Sequence, residues 1–237
     1  MAYQATRLDR FISAHTDIKR RDVRAVLAQG RVSVNGESAC EINQSVRQFC
    51  RVIVDGQILQ SNVPVYIMMN KPAGVVSATR DCAHSTVIDL LNETDRPGLH
   101  IAGRLDFNST GLVLISNNGR WTKSLSLPER KLYKHYRVKL EQPISQATVD
   151  AFEQGMHFAY ENITTRPAQL KIIDSHHADV SICEGRYHQI KRMFGHFQNP
   201  VLALHRYGVG PIRLDRELAP GQYRQLSEEE VNSCGQA

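Results

Sequence analysis

Short apolar runs, each cut off within a few residues by Gly, Pro, Asn or Asp, recur along most of the chain. That rhythm restricts it to a fold of many short strands with helices interspersed. From residue 66 onward the pattern predicts strands at 66–70, 99–102, 111–116, 133–140, 168–174, 179–183, 201–207 and 222–226. Helices are expected at 86–91, 118–126, 144–154 and 187–197. Strand and helix do not alternate regularly, so the expected class is α+β with a mixed, mostly antiparallel sheet. The longest apolar run, around 63–69, is about seven residues and contains Pro64, where a membrane helix needs roughly 20.

The first 56 residues read differently. Leu8, Phe11 and Ile12 fall at helical spacing, and a second helix is predicted over about 20–29, with Val23, Val26 and Leu27 inward and Gly30 as its stop. Val32 and Val34 alternate as in a strand before Asn35-Gly36, and Val52–Val54 leads into Asp55-Gly56. Both dipeptides are hairpin-turn signals. The expected organisation is a small αα-β domain over 1–56, a polar linker over 57–64 and a larger domain over 65–237. Five scattered cysteines without a CxxC pair argue against a disulfide framework or zinc ribbon. The start of the chain lacks the apolar core of a secretory signal, so the cytosol is expected.

Net charge is only +5, but it is unevenly placed. Residues 1–31 carry +4, with Arg7, Lys19, Arg20, Arg21 and Arg24 prominent. Residues 119–139 hold seven bases against Glu129 alone, and 181–216 hold six against two acids. Three basic runs in a modestly charged protein favour a polyanion, most simply nucleic acid. No amphipathic helix with an exposed apolar stripe accompanies them, so a membrane surface fits less well.

Two segments stand out chemically. Gly103-Arg104-Leu105-Asp106-Phe107-Asn108-Ser109-Thr110-Gly111 is a polar turn between apolar strands, with one carboxylate, Asp106, framed by apolar neighbours. Glu184-Gly185-Arg186-Tyr187-His188-Gln189-Ile190-Lys191-Arg192 joins a strand to a helix. His188 reads as a structural residue, since the chain has neither HxxxH nor HExxH and no metal site is expected. Phosphate-loop motifs are also absent from the sequence.

The run RLDRFISAH…RRDVRAVLAQGRVSVNGE, within residues 6–55, resembles the S4 RNA-binding domain. Over about 6–230, GRLDFNSTGLVLISNNG, KHYRVKL, EGRYHQIKRMFG and LHRYGVGPIRLDRELAPGQYRQLSEEE resemble, in order, the RsuA-like branch of pseudouridine synthases. The resemblance implies a pseudouridine synthase fold and cofactor-free isomerisation of uridine in ribosomal RNA, with the target base flipped out of its stack. By position it implies Asp106 as the catalytic aspartate, Lys191 as its basic partner and Tyr136 as the ring stacked on the target base. Arg104 matches the arginine that fills the vacated space. Arg186, Gln189 and Lys71 are expected to hold RNA backbone, as are Arg7, Lys19, Arg20, Arg21 and Arg24 in the S4-like domain. Tyr-His before Gln189 is closest to the small-subunit branch, which implies uridine 516 of 16S rRNA, free or in a partly assembled subunit. The alternatives are a 23S rRNA enzyme of the same family and a non-enzymatic assembly factor. A monomer is expected.

Overall fold

The computed structural model describes residues 5–92, 98–159 and 161–234, and the chain divides into two compact units between Pro64 and Val65. In the first unit, β1 (Thr6–Arg7) runs into α1 (Leu8–His15), followed by α2 (Val23–Ala28). Leu8, Phe11 and Ile12 bury against Val23, Val26 and Leu27. Gly30, at φ +69°, closes α2: its N–H donates to Leu27 O and that of Arg31 to Val26 O. Only a residue at ease in the left-handed region ends a helix this way without strain.

Five short strands complete the unit: β2 (Val32–Val34), β3 (Glu37–Ser38), β4 (Ser45–Val46), β5 (Val52–Val54) and β6 (Gln57–Gln60). The main sheet has the order β3-β2-β5-β6, and β4 pairs with β1. Asn35-Gly36 and Asp55-Gly56 make the two hairpin turns, all four residues at positive φ. Two expectations are corrected here. Residues 57–60 of the expected linker are strand β6, because the Asp55-Gly56 turn folds them back onto β5. The second helix begins at Val23, so Lys19, Arg20 and Arg21 lie in the turn before it.

The second unit is built on a nine-stranded sheet. Its strands enter in chain order as β7 (Tyr66–Lys71), β8 (His100–Ala102) and β9 (Thr110–Ser116), then α3 (Gly119–Ser126) and β10 (Lys134–Leu140). Next come α4 (Gln146–Gln154), the two-stranded hairpin β11 (His157–Phe158) and β12 (Ile163–Thr164), then β13 (Gln169–Ile172) and β14 (His177–Ile182). The chain ends with α5 (Gln189–Gly195), β15 (Val201–Val209), β16 (Ile212–Arg213), β17 (Tyr223–Gln225) and α6 (Glu228–Ser233). The spatial order is β13-β14-β10-β15-β9-β7-β17, with β8 on β9 and β16 on β15. Among the described strand pairs of this sheet, only β9–β15 is parallel.

Both faces of the central strands are covered, which explains the unbroken apolar run Leu112, Val113, Leu114, Ile115. Met69, Val113 and Ile115 join Tyr136, Phe152 and Phe194 in one core; Met68, Leu112 and Leu114 join Trp121 and Leu125 in the other. The helix expected at 86–91 is a series of turns. The Asp89 carboxylate accepts from the Thr86 N–H and hydroxyl, and Thr86 Oγ1 accepts from the Ile88 and Asp89 N–H groups. These short-range bonds compete with helical ones.

Candidate active site

The loop 103–109 between β8 and β9 is held from beneath at almost every peptide. Lys71, at the end of β7 and fully buried, donates from Nζ to Pro72 O (2.9 Å), Phe107 O (3.2 Å) and Ser109 O (2.7 Å). Burial pushes its ammonium down to about 8, the Arg206 charge adds to that, and the Asp106 carboxylate acts the other way. Ser77 Oγ donates to Leu105 O and accepts from Leu105 N–H. Arg206 on β15, 1% exposed, donates from Nε to Leu112 O and from Nη2 to Gly103 O, both at 2.8 Å. Its guanidinium carbon lies 6.0 Å from the centre of the Tyr136 ring. Gly111 makes this packing possible: a Cβ there would stand 2.2 Å from Arg206 O, and its φ is +103°.

Asp106 projects from this anchored loop with about a third of its side chain exposed and lines a cleft. Its Oδ2 lies 3.2 Å from Lys191 Nζ and 3.5 Å from His188 Nε2, both delivered by the start of α5. The cleft has a volume of about 660 Å³, within the range of small-ligand sites. Tyr136, 6% exposed, and Lys134 alternate on β10 and both line it. The Lys134 ammonium is pushed below the usual lysine value by burial and by Arg206, against the opposite pull of Cys183 and Glu184.

The turn before α5 is fixed by a buried carboxylate. Glu184 accepts from Gln189 Nε2 (2.8 Å), Arg166 N–H (2.9 Å) and Arg186 Nε (3.2 Å). Gln189 Oε1 in turn accepts from Arg186 N–H. Among the described residues no group of three or more His, Cys, Asp or Glu is arranged to hold a metal ion.

A family model described as RNA pseudouridylate synthase matches residues 65–196, which contain every element of this cleft except Leu204 and Arg206. The chain belongs to the RNA pseudouridylate synthase family. It is therefore an enzyme that isomerises uridine in RNA, and its mixed α/β architecture is that of the family. It is 48% identical to the ribosomal small subunit pseudouridine synthase A of Pseudomonas aeruginosa, over 96% of this chain and 99% of the relative. With the protein of the same name from Escherichia coli K12 it shares 40% identity over the same proportions. A crystal structure of a pseudouridylate synthase superposes with TM-score 0.71 at 33% identity, covering 96% of this chain and 99% of the other.

The structure brings Asp106, Tyr136 and Lys191 into one cleft, with Arg104 and Arg186 exposed on its lining. Two residues expected to hold RNA do not face solvent. Lys71 is enclosed and its three donors go to carbonyls; Gln189 is 3% exposed and joined to Glu184 and Arg186. Each positions a loop instead. In the first unit, Arg7 and Arg20 both bond the buried Asp9 carboxylate, while Lys19, Arg21 and Arg24 are exposed. Sequence reasoning missed Arg206, Ser77, Glu184 and the contact of His188 with Asp106, and had Lys134 only as one base of the run 119–139. Arg206 carried a signal: it shares the phase of Leu204 and Gly208 on an alternating strand, the buried phase.

Proposed function

We propose that this enzyme converts uridine to pseudouridine in small-subunit ribosomal RNA, with uridine 516 of 16S rRNA as its target. The observation that carries the reading is the Asp106 carboxylate, on an anchored loop, 3.2 Å from Lys191 and in the same cleft as Tyr136. The reaction breaks the C1′–N1 bond, turns the uracil and joins C5 to C1′; C5 then loses its proton and N1 ends protonated, so the product is an isomer. Asp106 is the group that acts on the nucleoside. Lys191 orients it and supplies a positive charge beside it. Tyr136 offers a flat surface for the uracil, which must leave its stack to reach the carboxylate. Arg104 and Arg186 contact the RNA around the emptied position. The S4-like unit holds structured RNA through Lys19, Arg21 and Arg24, with Arg7 and Arg20 fixed by Asp9. The small-subunit names of the relatives support the choice of small-subunit over large-subunit RNA, and the acidic–basic pair disfavours a pure assembly factor, which has no use for a preorganised carboxylate.

Mapping pseudouridine by mass spectrometry in both ribosomal RNAs, with and without the protein, tests this. A single site at 516 lost from 16S rRNA is expected; a site lost from 23S rRNA instead overturns the target. Parallel assays on naked 16S rRNA and on partly assembled subunits identify which is modified.

A further inference from the structure

Tyr187 is 78% exposed, the most exposed of the large hydrophobic side chains among the described residues, yet it stands on the lining of the catalytic cleft. Its ring is not loose. It stacks on His188 with centroids 4.0 Å apart and planes inclined by 14°. His188 is the same residue whose Nε2 lies 3.5 Å from Asp106. Its backbone is left-handed, φ +49° and ψ +29°, a conformation disfavoured for a residue with a Cβ. Glu184 and Gln189 hold the turn on either side, so the two rings are presented together at the rim. The outer face of Tyr187 contributes little to the core, and the cleft it lines also holds Arg104, Lys134, Arg186, Lys191 and Arg206 against the single carboxylate Asp106. An open aromatic face in a cationic rim matches a nucleobase flanked by phosphates.

We propose that Tyr187, backed by His188, stacks an unpaired nucleobase adjoining the target uridine, and so selects RNA in which that neighbour is free to leave its own stack. This rests on the function proposed above. Tyr136 is buried inside the cleft and takes the target base; Tyr187 lies at the mouth, where the next nucleotide leaves. Because the two rings are already stacked, little side-chain freedom is lost on binding. A protein partner is the competing occupant, but the surrounding positive charge and the adjacent reactive carboxylate favour RNA.

The test uses the full-length enzyme and a 16S rRNA fragment containing uridine 516, with 2-aminopurine replacing the base on either side of it. Tyr187→Ala should weaken fragment binding about tenfold, the order of one lost base–aromatic stack, and raise KM similarly while kcat stays within about twofold. Tyr187→Phe should restore both. At one of the two positions, the 2-aminopurine fluorescence of the complex should be lower with the wild type and Tyr187→Phe than with Tyr187→Ala. Tyr187 is exposed, so equal melting temperatures confirm that the variants fold. Equal affinity, equal KM and equal fluorescence for Tyr187→Ala overturn the inference, whatever protein partner the residue then serves. If the wild type makes no pseudouridine in the unlabelled fragment, in naked 16S rRNA or in partly assembled subunits, the functional reading has failed instead.

Discussion

Lys71→Met separates a positioning lysine from an RNA-binding one. Methionine keeps the volume and apolar stem, so no large cavity opens; what disappears are the bonds to Pro72 O, Phe107 O and Ser109 O. Phe107 O retains the Gly74 N–H as donor at 3.0 Å. Pro72 O and Ser109 O are therefore the acceptors most exposed to the loss. An unsatisfied buried carbonyl costs about 1–3 kcal/mol and a charge-assisted bond contributes about as much. Relief of the desolvation that lowers the Lys71 ammonium to about 8 offsets part of this. A net loss of about 2 kcal/mol in urea denaturation follows. The catalytic effect should be larger, because the lost bonds flank Asp106, and a displacement of about 1 Å costs on the order of a hundredfold in rate. Tritium release from 5-tritiated RNA in single turnover reads that rate, since C5 loses its hydrogen. A near-normal rate with weakened RNA affinity would refute the reasoning and return Lys71 to the RNA surface.

Gly111→Ala should destabilise by roughly 3 kcal/mol or more, because the added Cβ meets backbone, not a flexible side chain, in a left-handed conformation. Thermal denaturation checks it, and an unchanged midpoint would deny the close β9–β15 approach. Burial pushes the Asp9 carboxyl up, but hydrogen bonds from Arg20, Arg7 and the Arg10 N–H outweigh that and hold it below the usual carboxylate value. A depressed carboxylate contributes stability above its unfolded pKa and loses it as pH falls through its folded one. The advantage of wild type over Asp9→Asn in thermal midpoint should therefore shrink between about pH 5 and pH 3; a constant gap contradicts the pairing. Replacing Lys19, Arg21 and Arg24 together by Gln should lower the slope of log K against log salt by about 2, at about 0.7 per single-strand phosphate contact. Filter-binding titrations measure it, and an unchanged slope means this face does not touch RNA.

Strands in the second unit were legible because alternation and turn residues report burial directly, as at 66–70 and 133–140. The 86–91 segment was not, because the bonds between Asp89 and Thr86 use the same side chains that a helix start would use. Strand β6 was hidden by the glutamines at both its ends, Gln57 and Gln60, which read as linker although the turn before it was visible. Asp106, Tyr136 and Lys191 come from well-separated segments, and only the matching motif order linked them in advance. Lys71 and Gln189 show the opposite limit. A polar residue near a site reads as a ligand contact in sequence, and whether its donors point outward to RNA or inward to carbonyls depends on backbone that a sequence does not display.

In the proposed reaction Asp106 does the chemistry while the surrounding surface does the binding. Asp106→Asn keeps the size of the side chain and removes its charge beside Lys191. Pseudouridine formation by this variant on 16S rRNA, measured by mass spectrometry alongside its RNA affinity, tests that division most directly. No detectable pseudouridine and an affinity within a few-fold of wild type are expected. Substantial pseudouridine formation by the variant would contradict that division.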